Sequence, residues 1–233
     1  GKVEDIVWIK LGQLGRLIRA LKGYGVPRAL MAGSISKRRM FDNVRPDLRG
    51  LAVMSRLAIF HDDDILRTVA GELEKEGIEI VSSVQYLPEL VAPEGGLTKR
   101  KPGKDEWEDI RFGWRIAKEL GRLDVGQCAV VLRRTVLALE AIDGTDATIL
   151  RGGALAKEGA VVVKVSKPRQ DLRFDVPSVG LDTLGNMLQV KARVLAVEAG
   201  RTLIFDKREM IERANRAGVS VVSVAVPGGA IGT

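Results

Sequence analysis

A proline- and glycine-rich stretch divides the apolar pattern of this chain in two. From Val91 to Gly103 the sequence sets Pro93, Gly95, Gly96, Pro102 and Gly103 around the basic run Lys99-Arg100-Lys101. Proline supplies no N–H and glycine loses the most freedom on ordering, so neither favours the interior of a helix or strand. The stretch reads as a connection between domains. The expected division of the 233 residues is an N-terminal domain over 1–92, a linker over 93–103 and a C-terminal domain over 104–233.

Before the linker, strand and helix signals alternate. Ile6 to Ile9 reads as a strand. Leu14, Leu17, Ile18 and Leu21 then fall at helical spacing, and Gly23 and Gly25 supply a stop. Ala29 to Ala32 reads as a second strand. A helix is expected from about Asp62, with Ile65, Leu66, Val69 and Leu73 on one face, and Ile78 to Val81 as a further strand. This β-α-β-α-β rhythm predicts a Rossmann-like α/β domain, its small parallel sheet covered by helices. The sequence reaches its first strand signal so soon after Gly1 that the domain is expected to be incomplete at its start.

After the linker the spacing predicts a helix from about Asp105 with Trp107, Ile110, Trp114 and Ala117 on one stripe, ended by Gly121. Ala129 to Leu132 and Val136 to Leu139 read as a hairpin around Arg133-Arg134-Thr135. Val161 to Val165, Arg193 to Val197 and Val219 to Val224 read as strands. Asp206-x-x-Glu209 opens a helix in capping-box style, with Met210, Ile211 and Ala214 facing the core, and a frayed tail follows from Pro227. The fold class expected is α/β in two domains, the second with a mixed sheet.

Composition narrows the chemistry. One cysteine, Cys128, permits no internal disulfide and no multi-cysteine zinc site, and favours a reducing compartment. One histidine, His61, leaves no second imidazole for a shared metal. A metal here would take carboxylate oxygens, which points to magnesium or manganese. No apolar run is long enough to span a bilayer and no secretory signal is visible. The net charge of +7 suits an anionic partner: nucleic acid, an anionic membrane face or a phosphorylated substrate. Aromatic residues make up 4% and do not interleave with Lys37-Arg38-Arg39, Lys99-Arg100-Lys101 or Arg133-Arg134, so no base-stacking platform is expected. Those basic clusters suit solvated turns as well as any site.

Four constellations stand out. Glu140-Ala-Ile-Asp143-Gly144-Thr145-Asp146 follows a strand and precedes a helix. Its carboxylates suit a hard cation or an oriented water, and equally a turn with a helix cap. Lys164-Val-Ser166-Lys167-Pro168-Arg169-Gln170-Asp171-Leu172-Arg173-Phe174-Asp175-Val176-Pro177 crowds cations and carboxylates beside a strand end. A surface loop accepts such crowding, and so does a phosphate site, where Lys and Arg neutralise oxygens while Asp holds a metal or orients water. Asp182 and Thr183 then start a helix whose N-terminus suits an anion. His61-Asp62-Asp63-Asp64 complements a helix dipole as readily as it edges a cleft. Gly12-Gln13-Leu14-Gly15 is only a fragment of a nucleotide loop.

Together these residues resemble a family. Gln127-Cys-Ala-Val-Val, Leu137-Ala-Leu-Glu140-Ala-Ile-Asp143-Gly-Thr-Asp146, Lys164-x-x-Lys167-Pro-x-Gln170-Asp171-x-Arg173-Phe-Asp175-Val-Pro-x-x-Gly180-x-Asp182-Thr183 and Val197-Glu198-Ala-Gly200-Arg201-Thr202 look like the LpxI-type UDP-2,3-diacylglucosamine pyrophosphatases. The resemblance implies a cytoplasmic enzyme of lipid A biosynthesis that touches the inner-membrane surface in passing and binds no nucleic acid, with room for an oligomer. It implies magnesium-dependent water attack on the α-phosphorus of UDP-2,3-diacylglucosamine, giving UMP and lipid X (2,3-diacylglucosamine 1-phosphate). Asp175 is then the first choice of essential carboxylate, with Asp171, Arg173 and Lys167 beside it in catalysis. Gln127, Lys164, Thr183, Asp182, Gly144 and Thr145 would bind substrate. Asp175, Asp146 and Glu140 would hold Mg2+, or Mn2+ in its place. The second reading is a non-catalytic module that binds the lipid nucleotide without cleaving it.

Overall fold

The computed structural model describes residues 3–33, 45–55 and 62–225, without the side chains of 62–64. The Lys37-Arg38-Arg39 cluster, His61 and the tail from Pro227 lie outside the described residues. Two compact units form: Gly1–Tyr86 with Asp171–Asp175, and Leu87–Gln170 with Val176–Thr233.

In the first unit, α1 (Leu14–Gly23), β1 (Arg28–Leu30), α2 (Leu48–Met54), α3 (Asp62–Lys75) and β2 (Glu79–Val81) follow in order. β1 and β2 pair in parallel, with Ala29 opposite Ile80. The core between them is Leu14, Ile18, Val53, Ala70, Leu73, Ile78 and Ile80, the residues that helical and strand spacing bring to one side. Phe174, distant in sequence, packs against this core. Ile6 to Ile9 is not a strand. Among the described residues no strand pairs with it, and Ile6 and Trp8 stand 66% and 83% exposed. An apolar run makes a strand only where another strand can ladder with it.

The second unit is built on a six-stranded sheet in the order β3-β10-β8-β6-β4-β5. Its strands are β3 (Gly95–Gly96), β4 (Cys128–Leu132), β5 (Thr135–Leu139), β6 (Val161–Lys164), β8 (Val194–Glu198) and β10 (Ser220–Val224), while β7 (Ser178–Val179) and β9 (Leu203–Ile204) form a separate parallel pair. β6, β8 and β10 run parallel at the centre, and β3, β4 and β5 are antiparallel to their neighbours. The central strands are runs of valine, leucine and alanine because both their faces are covered. α4 (Lys104–Arg122) lays Ile110, Trp114 and Ala117 on one face, over Val131, Val163 and Ala196. α5 (Gly144–Ala156), α6 (Leu181–Gln189) and α7 (Lys207–Ala217) cover the other, where Ile149, Leu184, Met187 and Met210 meet Val130, Val162, Leu195 and Val221. The C-terminal half is thus mixed α/β, as its strand pattern predicts.

Several details depart from the sequence reading. Residues 93–103 do not form a linker. Gly95 and Gly96 pair with Ser223 and Val222 as the sheet's edge strand, and buried Thr98 accepts the Val221 N–H at 2.9 Å. A strand of two glycines offers a full backbone ladder and no side-chain pattern to read. Gly121 does not end α4 but lies within it, and a Cβ there would stand 3.1 Å from the Lys167 Cα. Asp206 is no capping box. It sits in the left-handed region at φ 48° with no side-chain cap, and Glu209 pairs instead with Arg213. The hairpin at Arg133 and Arg134 does form, with both residues left-handed at φ 51° and 58°. Such a turn ordinarily calls for Asn-Gly. Here the buried Asp109 carboxylate of α4 accepts both turn N–H groups, the first at 2.9 Å, and so holds two arginines in that shape.

Candidate active site

The carboxyl end of β6 places Lys164 among buried groups. Strand alternation turns Val163 to the α4 face, so Lys164 points to the other. It is 8% exposed, and its ammonium donates to the Ser178 carbonyl at 2.8 Å. Among the described residues it forms no ion pair. Burying an ammonium without a carboxylate is costly. The neighbouring Cys128 thiol is pushed far up by burial and by the Glu140 charge, while Lys164 acts against that rise. Both charges are therefore felt at one point at the start of β4.

Glu140 is also buried. One of its oxygens accepts the Gln127 N–H at 2.9 Å and the other the Thr145 hydroxyl at 2.7 Å. The carboxylate ties the start of β4 to the first turn of α5, where Gly144 makes the bend at φ 82°. Asp146 stands exposed in that turn. The Gln127 side-chain oxygen is buried and has no hydrogen-bond partner among the described residues. Thr183, buried in the first turn of α6, accepts the Gly180 N–H at 3.4 Å, and Asp182 beside it is exposed. Lys164, Gln127, Glu140, Gly144, Thr145, Asp146, Asp182 and Thr183 thus all belong to the C-terminal unit.

Asp171, Arg173 and Asp175 do not. By their contacts they group with the N-terminal unit. Backbone bonds from Phe174 and Asp175 to the Asp171 carbonyl fold the five residues into one turn. Arg173 grips the Asp171 carboxylate through Nε at 3.0 Å and Nη2 at 2.8 Å, and reaches Glu74 of α3 at 2.7 Å. This bonding holds Asp171 below the usual carboxylate range and Arg173 above its ordinary value. The guanidinium also lies 4.8 Å from the Phe174 ring centre, and Ser82 donates to the Leu172 carbonyl at 2.8 Å. The charge of Arg173, expected to meet phosphate, is therefore already matched by carboxylates. The same holds for Lys167, which bonds Asp124 at 2.5 Å in the C-terminal unit.

One polar centre escaped the sequence reading. Glu198, at the end of β8 and 5% exposed, bonds Ser166 and Lys118 of α4. The signal available was a carboxylate closing an otherwise apolar strand, Val-Leu-Ala-Val-Glu.

Charged and hydroxyl side chains gathered where parallel strands end mark an α/β enzyme, and with its second α/β unit this is one of two domains. The chain belongs to the LpxI family: residues 1–90 match the model of the LpxI N-terminal domain and residues 93–222 that of the LpxI C-terminal domain. It is 36% identical over 228 residues to the UDP-2,3-diacylglucosamine pyrophosphatase LpxI of Caulobacter vibrioides, across 93% of this chain and 81% of that protein. The resemblance carried by the motifs is borne out. Among the described residues no helix is long and apolar enough to cross a membrane.

Proposed function

We propose that this chain hydrolyses the pyrophosphate of UDP-2,3-diacylglucosamine to UMP and 2,3-diacylglucosamine 1-phosphate. The 36% identity to a protein of that name, spread across both domains, carries the reading. The geometry supports it through Lys164, a buried cation that forms no ion pair among the described residues and suits a phosphate oxygen.

In the reaction a water oxygen bonds to the α-phosphorus and the bond from that phosphorus to the bridging oxygen breaks. UMP and the lipid-bearing phosphate result. Asp175 takes the role of orienting the water and receiving its proton. Asp171 and Arg173 act one step back: their mutual bonds and the Glu74 contact shape the turn that presents Asp175. Lys164 offsets charge on the transferring group. The free Gln127 oxygen and the Thr183 hydroxyl suit sugar or uracil donors and acceptors.

Among the described residues no three metal-ligating side chains gather, and both Glu140 oxygens already accept hydrogen bonds. Each oxygen keeps a second lone pair, so Glu140 still suits a place in a cation's ligand set. Magnesium commonly takes one or two carboxylates with water and substrate phosphates, and Asp175 suits that role. A bound ion would supply Lewis-acid polarisation of a phosphoryl oxygen.

A lipid-bearing substrate and a net charge of +7 support passing contact with the anionic inner face of the cytoplasmic membrane. The parallel β1–β2 pair and its helices support a Rossmann-like N-terminal domain.

The test is UMP release from the lipid nucleotide with magnesium present, for the parent and for Asp175→Asn, with circular dichroism confirming the fold. Loss of release in the folded variant is expected. Unchanged turnover would remove Asp175 from the mechanism, and substrate binding by a parent that releases no UMP would make the chain a binding module.

A further inference from the structure

Three successive residues of the Asp171–Asp175 turn are each gripped by a different part of the N-terminal unit, to which the turn itself belongs. The Leu172 carbonyl accepts the Ser82 hydroxyl at 2.8 Å. The Arg173 guanidinium bonds the Glu74 carboxylate of α3 at 2.7 Å. The Phe174 ring packs against the core that holds Leu73 and Ile80. A hydrogen bond to the main chain, an ion pair and apolar packing thus act together on one short segment.

These grips differ in what they can fix. Packing seats the Phe174 ring, but the hydrophobic effect is non-directional. The Glu74–Arg173 pair is 43% and 38% exposed, so water screens it, and it ends on a long side chain. Ser82 alone among the three partners acts on the main chain. It follows directly on β2, whose ladder with β1 sets Ile80 opposite Ala29. Its Oγ accepts the Val84 N–H at 3.3 Å as the chain turns through Ser83–Tyr86. With the oxygen engaged by that N–H, the one hydroxyl proton is given to Leu172. Inside the turn the Phe174 and Asp175 N–H groups donate to the Asp171 carbonyl at 3.1 and 3.2 Å, and the Arg173 N–H donates to the Asp171 carboxylate at 3.1 Å. The turn is therefore bonded across its length, and a shift at Leu172 is passed on to Asp175. Reacting groups tolerate little error: a misplacement of about 1 Å costs on the order of 100-fold in rate.

We propose that Ser82 is a positioning residue for the hydrolysis: by holding the Leu172 carbonyl it sets where the Asp175 carboxylate stands. The inference rests on the hydrolase reading and on Asp175 as its essential carboxylate.

Ser82→Ala deletes the hydroxyl, and Ser82→Thr keeps it. kcat and KM for UMP release are measured with magnesium for the parent and both variants, well below each melting temperature. A positioning role lowers kcat of Ser82→Ala by about 5- to 50-fold while KM stays within about threefold. Ser82→Thr is expected to hold kcat within about threefold of the parent. Amide exchange of a peptide covering residues 171–175 is expected to speed up in Ser82→Ala and not in Ser82→Thr, with α1 and β1 unchanged in both. Should Ser82→Ala fail to fold, Ser82→Cys, whose thiol is a weak donor, is read the same way. A folded Ser82→Ala with kcat within about twofold of the parent overturns the proposal. So does a Ser82→Thr as slow as Ser82→Ala, or a rise in KM with kcat unchanged, since Ser82 would then serve packing or binding. A parent that releases no UMP sinks the hydrolase reading and this inference together, and a fully active Asp175→Asn removes the carboxylate on which it depends. An active parent, an inactive Asp175→Asn and an active Ser82→Ala sink this inference alone.

Discussion

Replacing Asp109 with alanine tests how a hairpin of two left-handed arginines is held. The carboxylate accepts the backbone N–H of Arg133 and that of Arg134, and Asp109 is only 4% exposed. A hydrogen bond to a charged group contributes about 1.5–3 kcal/mol when its partner cannot be replaced. At the hairpin tip, water recovers part of that for the freed N–H groups, so the lower figure applies to each. The expected loss for Asp109→Ala is about 3 kcal/mol, or a fall of about 6–12 °C in melting temperature. Asn offers one carbonyl oxygen where Asp offers two, so Asp109→Asn should lose about half as much. Each left-handed arginine costs about 1–2 kcal/mol, and Arg133→Asn with Arg134→Gly relieves that strain. Adding this pair to Asp109→Ala should recover about half of the loss. The assay is urea unfolding followed by tryptophan fluorescence, for which Trp107 and Trp114 sit on the helix that carries Asp109. A loss under about 0.5 kcal/mol, or an Asn variant as unstable as the Ala variant, would refute the reasoning.

Two further perturbations probe the packing and the candidate turn. A Cβ at Gly153 would stand 2.1 Å from a methyl carbon of Val190, so Gly153→Ala is expected to destabilise by about 1–3 kcal/mol, and Val190→Ala in the same chain should restore much of it; additive losses in the urea midpoints would count against a direct clash. Asp171 is held below its unfolded value by Arg173, so its contribution is fully present above a pH of about 4 and is lost as pH falls through the lower folded value. Asp171→Asn should therefore lower stability at neutral pH while flattening the acid limb of a stability-versus-pH curve, and an unchanged acid limb would mean that the ion pair contributes nothing.

How much was legible in advance follows from where each interaction lies. The runs Val161–Lys164, Val194–Glu198 and Ser220–Val224 declare central strands because burial on both faces leaves room for little but apolar residues. Lys164 was readable for the same reason, as the first polar group after such a run. The pairing of Lys167 with Asp124 was not, since only the fold brings α4's end to the loop after β6. Nor was the allegiance of Asp171–Asp175, which depends on Glu74 and Ser82, some 90 residues away. Ile6 to Ile9 misled for a related reason: a strand signal reports the residues, whereas a strand also needs a neighbour. Glu198 was visible within the family motif, but its three donors come from two other elements and leave no trace in local spacing.

The turn at Asp171–Asp175 also has a consequence for synthesis. By packing it belongs to the unit whose other residues end at Tyr86. A ribosome delivers chain from the N-terminus at about 5–20 residues per second, so this piece emerges roughly 4–17 s after the rest of its own domain. Through that interval the Ser82 hydroxyl and the Glu74 carboxylate wait for their partners, and the surface that receives Phe174 stays open. By the time the turn arrives, β3 to β6 and the helices between them have already been made. A finished N-terminal domain therefore never exists on the ribosome without most of the C-terminal one, and the candidate catalytic carboxylate is the last part to reach it.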